Sequence, residues 1–150
     1  QKKLAEQEQK QMELDAVTLD RVICGEQQPE SDHFMEMLNS NTGSDEDIHW
    51  REARDNGWFS YLMKTQTDTV AQIRIVYKGL PSRDATVWVN DVKVGTLTSV
   101  VSNELSISEF ALPQALQGEK QLRVKIGTAT SKGTVRMYEV RLVKNAEPTK

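Results

Sequence analysis

The chain has 150 residues, 37% hydrophobic and 27% charged, with a formal net charge of −3. That length suits one domain with a tail, and a pI of about 5.5 supplies no bulk positive field to draw nucleic acid or an anionic membrane. A mean hydropathy of −0.58 with no apolar run near ~18 residues excludes a transmembrane helix, and a single cysteine excludes an internal disulfide framework and a multi-cysteine zinc site.

Residues 1–19 form a lead-in. From Lys2 to Asp15 the chain is mostly Lys, Glu and Gln, with Leu4, Met12 and Leu14 as its larger apolar members. These residue types favour helix, and Glu6 to Lys10 is a well-oriented i,i+4 pair. The polar gap between Leu4 and Met12 leaves no continuous apolar stripe, so the helix or flexible segment has little to bury. Gln1 opens a charged stretch rather than a signal peptide, so a processed chain or a piece of a longer protein is expected.

From Val17 onwards short β-rich runs recur between Gly, Pro, Asn, Asp and Ser. Strands are predicted over 58–63, 72–77, 86–89, 92–94, 104–111, 121–126 and 135–143. Ile73, Ile75 and Tyr77 share one face, as do Leu122, Val124 and Ile126. Asn90-Asp91 tolerates φ > 0 and suits a tight hairpin turn. Residues 24–56 show no clear periodicity and read as a long loop, functional or held by its own contacts. No amphipathic helix separates the strands, so the fold class is all-β, an antiparallel β-sandwich. It spans 20–144, and 145–150 reads as a disordered tail.

The residues carry little local sign of catalysis. The loop holds Glu26, Glu30, Asp32, Asp45, Glu46 and Asp47, but glycosidic hydrolysis needs two carboxyl groups facing across a cleft, and acidic loops are ordinarily just solvated. Ser60 lies outside a Gly-x-Ser-x-Gly elbow, and Cys24 reads as a small buried apolar residue. Glu30 to His33 and Asp45 to His49 cluster oxygen donors that could hold a structural Ca²⁺, without EF-hand spacing. Sugar binding draws on exposed aromatics with polar partners. Trp50-Arg51 is one such combination, and Trp88, on the strand face of Thr86 and Asn90, is another. The alternative is that these indoles are core plugs. That reading is preferred for Trp58 and stays open for Trp50 and Trp88. Basic residues are dispersed, without a nucleic-acid face.

Asp20 to His33, with Gly25-Glu26-Gln27-Gln28-Pro29-Glu30-Ser31-Asp32-His33 at its heart, is followed by His49-Trp50-Arg51-Glu52-Ala53 and Gly57-Trp58-Phe59-Ser60-Tyr61. This series, over about residues 15–143, resembles the C-terminal region of the β-L-arabinofuranosidase-like glycoside hydrolases, bacterial enzymes long catalogued as proteins of unknown function. The half from Val87 through Leu116 is similar to the galactose-binding-like jelly rolls appended to many glycosidases, with Asp91 where their turn more often carries Gly.

The resemblance implies a jelly-roll accessory domain whose catalytic partner lies upstream, in a helical barrel with a cysteine nucleophile and a zinc site. One cysteine cannot supply that set, and Cys24 does not take the nucleophile's role. The implied function is non-catalytic support of the parent enzyme's catalytic domain, with weak binding of plant or host glycan, in the periplasm or outside the cell. A glycan site would draw on Trp50, Arg51 and Trp88, with His33, Glu30 and Asp32 as polar partners. The alternative is a docking module with no sugar site. For the motif itself, pinning the long loop to the sandwich is preferred over facing a ligand or the catalytic domain.

Overall fold

The computed structural model describes residues 2–65, 69–70, 72–98, 104–128 and 132–144. A helix, α1 (Lys2–Ala16), leads into β1 (Thr18–Ile23), a short helix α2 (Gln27–Asp32), β2 (Glu36–Asp45) and the 17-residue β3 (Ile48–Lys64). Then come β4 (Gln72–Lys78), β5 (Ala85–Val89), β6 (Val92–Leu97), β7 (Ser106–Ala111), a 3₁₀ turn (Gln114–Leu116), β8 (Gln121–Gly127) and β9 (Arg136–Val143). The pairings are antiparallel, in the order β6-β5-β8-β3-β9-β4-β7, with β1 added on β9 and β2 on β3. The expected antiparallel jelly-roll-type sandwich is what the chain forms.

Strand β3 ties the two layers together. Its first part reaches β9 at Arg51↔Met137, and its second part runs along β8 from Trp58↔Gly127 to Lys64↔Gln121. Between them Asp55 and Asn56 take φ of +47° and +63°, where β2 also shifts register between Leu38 and Ser40. Such a break lets one strand bend from one sheet into the other.

The core follows the two-residue period. Ile73 and Ile75 on β4, Val87 and Val89 on β5, and Leu122, Val124 and Ile126 on β8 are fully buried, as are Phe59, Tyr61 and Met63 on β3. Strand β9 is buried almost throughout, because β1 and β4 flank it and the core covers it. Phe59 and Tyr61 meet edge-on with centroids 5.8 Å apart, a contact of ~0.5–1.5 kcal/mol beyond area burial. Helix α1 is exposed along most of its length and touches the sandwich through the Asp15–Arg141 ion pair at 2.7 Å. The predicted tail at 145–150 lies outside the described residues.

The long loop expected over 24–56 is instead α2, β2 and the first part of β3. The reason for the difference is position. Strand β2 lies at the edge, and Glu36 to Asn39 are all exposed, so no buried face imprints an alternating pattern on it. Its extended form comes from backbone pairing with β3.

The β5–β6 turn is as expected. Asn90 and Asp91 have φ of +49° and +68°, between the paired Val89 and Val92. A side chain in the left-handed region is strained, and glycine is not. Asp91→Gly is therefore expected to raise stability by roughly 0.5–1 kcal/mol. A lowered urea midpoint would refute the turn assignment.

Candidate functional site

The polar motif closes around a buried carboxylate. Glu30, on α2, is only 4% exposed. Arg51 Nε and Nη2 donate to its Oε2 and Oε1 at 2.7 and 2.9 Å, and the Tyr61 hydroxyl and Gly25 N–H donate to Oε2 at 2.6 and 3.0 Å. Burial alone would raise this carboxyl, but the Arg51, Tyr61 and Gly25 bonds outweigh it and hold the group below the usual carboxylate range. Arg51 continues to Ser40 Oγ at 2.8 Å, so one guanidinium joins α2 to β2 and β3. Gly25, with φ +86°, brings its backbone against Trp50, where a Cβ would meet the Trp50 carbonyl oxygen at 2.6 Å. Cys24 is fully buried beside this cluster, and burial pushes its thiol up to about 12, the state of an inert thiol.

His33, just past α2, sets Nδ1 2.7 Å from the Pro29 carbonyl and Nε2 2.7 Å from Asp20 Oδ1. Both ring nitrogens face acceptors, and the Asp20 bond holds the imidazole above its ordinary value. Burial works to raise Asp20, while His33 and the backbone N–H groups of Lys64 and Arg21 lower it further than burial raises it. Asp32 is exposed and accepts from Gln28 Nε2 at 2.8 Å. Two clefts flank Phe34, one of about 390 Å³ beside Glu30, Ser31 and Arg51, the other of about 230 Å³ beside Asp20, His33 and Lys64. Phe34 is 62% exposed with φ +50°, a left-handed conformation that costs ~1–2 kcal/mol for a side chain of this kind.

The tryptophans divide differently from expectation. Trp50 is 8% exposed, with the Arg136 guanidinium 4.3 Å from its ring centroid. Trp58, expected in the core, is half-buried on the outer face, because the core takes the opposite parity of β3 through Phe59, Tyr61 and Met63. Trp88 is also half-buried on that face. Ser60, Lys125 and Trp88 form one cross-strand row, and Trp58, Gly127 and Thr86 the next. A Cβ at Gly127 would lie 2.9 Å from Trp58 Cβ and 3.3 Å from Trp88 Cζ3, so the root of the Trp58 side chain and the ring edge of Trp88 converge above the glycine. Lys125 Nζ sits 4.9 and 5.2 Å from the two ring centroids.

The candidate residues thus fall into separate places. Glu30 and Arg51 meet in the interior, His33 and Asp32 stand at the end of α2, Trp50 is covered, and Trp88 lies across the sheet. Sequence reasoning missed Trp58 and Lys125 as surface neighbours. The parity of 58 against 59, 61 and 63 was the available signal. Among the described residues no group of three or more His, Cys, Asp or Glu is placed to hold a metal ion, and no helix is long and apolar enough to cross a membrane.

Residues 13–143 match DUF6805, a family of unknown function. The chain belongs to that family. A search of curated proteins finds no match. Among solved structures, an exo-β-1,3-galactanase from Phanerochaete chrysosporium with β-1,3-galactotriose is similar at a TM-score of 0.56 and 13% identity, over 72% of this chain and 27% of that one. A family 35 carbohydrate-binding module from Clostridium thermocellum gives 0.52 and 11%, over 81% of this chain and 95% of the module. A family 29 carbohydrate-binding module complexed with mannohexaose gives 0.54 and 7%, over 81% and 88%. The DUF6805 chain therefore spans about a quarter of the galactanase and most of either module. At these identities the likeness is one of fold.

The DUF6805 interior makes two predictions. Arg51→Met leaves the Glu30 carboxylate buried without its counter-charge and is expected to cost ~3–5 kcal/mol in urea unfolding. A loss under about 1 kcal/mol would show that the pair does not organise the motif. The His33–Asp20 bond has a pH window. With His33 raised, its contribution is whole below about pH 6.5 and lost as pH climbs through the raised value; with Asp20 lowered, its contribution is whole above about pH 4 and lost as pH falls through the lowered one. The stability gap between wild type and His33→Gln should therefore be wider near ~pH 6 than near ~pH 9. An equal gap at both would contradict the assignment.

Proposed function

We propose that this DUF6805 domain is a non-catalytic accessory module that binds glycan on the outer face of β3, β8 and β5. We place it in a bacterial β-L-arabinofuranosidase-like glycoside hydrolase acting in the periplasm or outside the cell. The observation that carries the glycan-binding reading is the convergence of Trp58 and Trp88 above Gly127. Indole faces accept the apolar faces of sugar rings, and the half-buried Thr86 stands beside them as a hydroxyl partner. Whole-domain similarity to carbohydrate-binding modules supports the same assignment. Among the expected site residues, Trp88 stays in the proposal. Trp50, Arg51, Glu30 and His33 act from inside, holding the hairpin that borders the face, and Asp32 lies at the end of α2.

A second reading is docking to the parent enzyme's catalytic domain. Phe34, Met37 and Leu38 favour it, since they stand 62%, 51% and 52% exposed around the start of β2.

Titration with arabinose- and galactose-containing oligosaccharides, followed by tryptophan fluorescence with and without Ca²⁺, tests the assignment. A saturable shift is expected, weakened by ~1 kcal/mol or more in Trp58→Ala or Trp88→Ala and unchanged in Phe34→Ser. A flat response up to about 5 mM ligand would leave docking as the function. A rise in melting temperature with Ca²⁺ would mark a structural cation.

A further inference from the structure

We propose that the glycan held by this face is anionic, a uronate-bearing polysaccharide whose carboxylate pairs with Lys125 while its rings lie along Trp58 and Trp88. The inference rests on the glycan-binding reading and names the substrate class of the same site.

Charge is the first ground. The outward positions of β2, β3, β8, β5 and β6 around the two indoles carry Lys93, Arg123 and Lys125 against one acid, Glu36, while Lys64 lies at the far end of β3 beside Asp20 and Asp32. The whole chain is −3, so this excess of positive charge is a local property of the face. Arg123 is partly used already. It donates to the Phe34 carbonyl at 2.9 Å and lies 4.0 Å from Glu36. Lys125 differs from it, because no carboxylate among the described residues stands within ion-pair distance. Lys93 is opposite Trp88 on the next strand and exposed.

Position is the second ground. The Lys125 ammonium is held near both indoles, and an interaction with aromatic rings fixes a cation without neutralising it. A neutral sugar would stack on the rings and leave that charge without a partner. A carboxylate on the sugar's edge adds a charge-assisted hydrogen bond at a partly desolvated spot, where such bonds are strongest. A lysine head is a compact point charge that can follow a carboxylate on a ring whose plane the indoles set. Single-stranded nucleic acid also combines stacking with phosphate contacts, but a chain of net negative charge with one small basic face is poorly suited to it.

The test pairs each acid with its neutral form. Galacturonate, glucuronate and mannuronate oligomers are titrated against the 150-residue chain beside their methyl esters, with a decathymidylate strand as a third ligand. At least one acid should quench tryptophan fluorescence and bind about tenfold more tightly than its ester, and added salt should erode the preference. Lys125→Met keeps an apolar stem beside the rings and removes the charge. It should abolish the preference while leaving the melting temperature and circular dichroism unchanged. Trp88→Ala should weaken acid and ester alike. Esters binding as well as acids would overturn the inference and leave the glycan-binding reading intact. No binding of acid or ester, together with no binding of the neutral arabinose and galactose oligomers, would overturn both. Acid preference that survives in Lys125→Met, or tighter binding of decathymidylate than of every acid, would also overturn it.

Discussion

The carboxylate of Glu30, buried and bonded at both oxygens, is the interaction on which the surrounding structure depends. Its donors come from the loop before α2 and from two positions of β3, and Arg51 reaches on to β2. Removing any one partner leaves charge or polarity stranded in the interior, so the elements are coupled by the cost of separating them. Within the odd run of Glu, Gln, Asp and His, Glu30 is thereby explained as interior structure and His33 as its half-buried neighbour, while Gln27, Gln28 and Asp32 face outward. A carboxylate held below its usual range by a guanidinium and a phenol is also poorly suited to donating a proton.

A single strand carries both the core and the proposed binding face. The inward side of β3 supplies Phe59, Tyr61 and Met63, and its outward side supplies Trp58. Strands β8 and β5 divide in the same way, with Ile126 and Val87 inside and Lys125 and Trp88 outside. A slip of one residue would exchange the two sides, so packing of the apolar side sets the geometry of the polar and aromatic one. The Glu30 cluster adds to this by holding the hairpin that flanks the face. Site and core are two consequences of one register.

The similar structures include free-standing modules and parts of larger enzymes. A β-sandwich can present a ligand surface on a face, along an edge or among its loops, so the fold does not say where binding occurs. Particular residues mark the outer face: Trp58 and Trp88 meet above a glycine that leaves them room, and Lys125 sits near both rings. The exposed apolar group around Phe34 borders this face at Leu38, the cross-strand partner of Trp58.

Much of the sandwich was legible in the sequence, and the site was not. Strands 72–77 and 121–126 announce themselves through strict alternation, because each has one buried and one open side, and Asn90-Asp91 marks a turn through its own backbone preference. These are local signals, carried by neighbours in the chain. Strand β2 carries no such signal, being an edge with little to bury. The partner of Glu30 is likewise unreadable in advance, since Arg51 and Tyr61 meet it only after β3 has folded over α2. The same holds for the tryptophans. Their residue type identifies them as large and apolar, but whether an indole is covered depends on what packs above it. Arg136 comes down over Trp50, which is 8% exposed, whereas Trp88, with Lys125 over its ring, stays half-buried, a decision made by strands distant in sequence and adjacent in space.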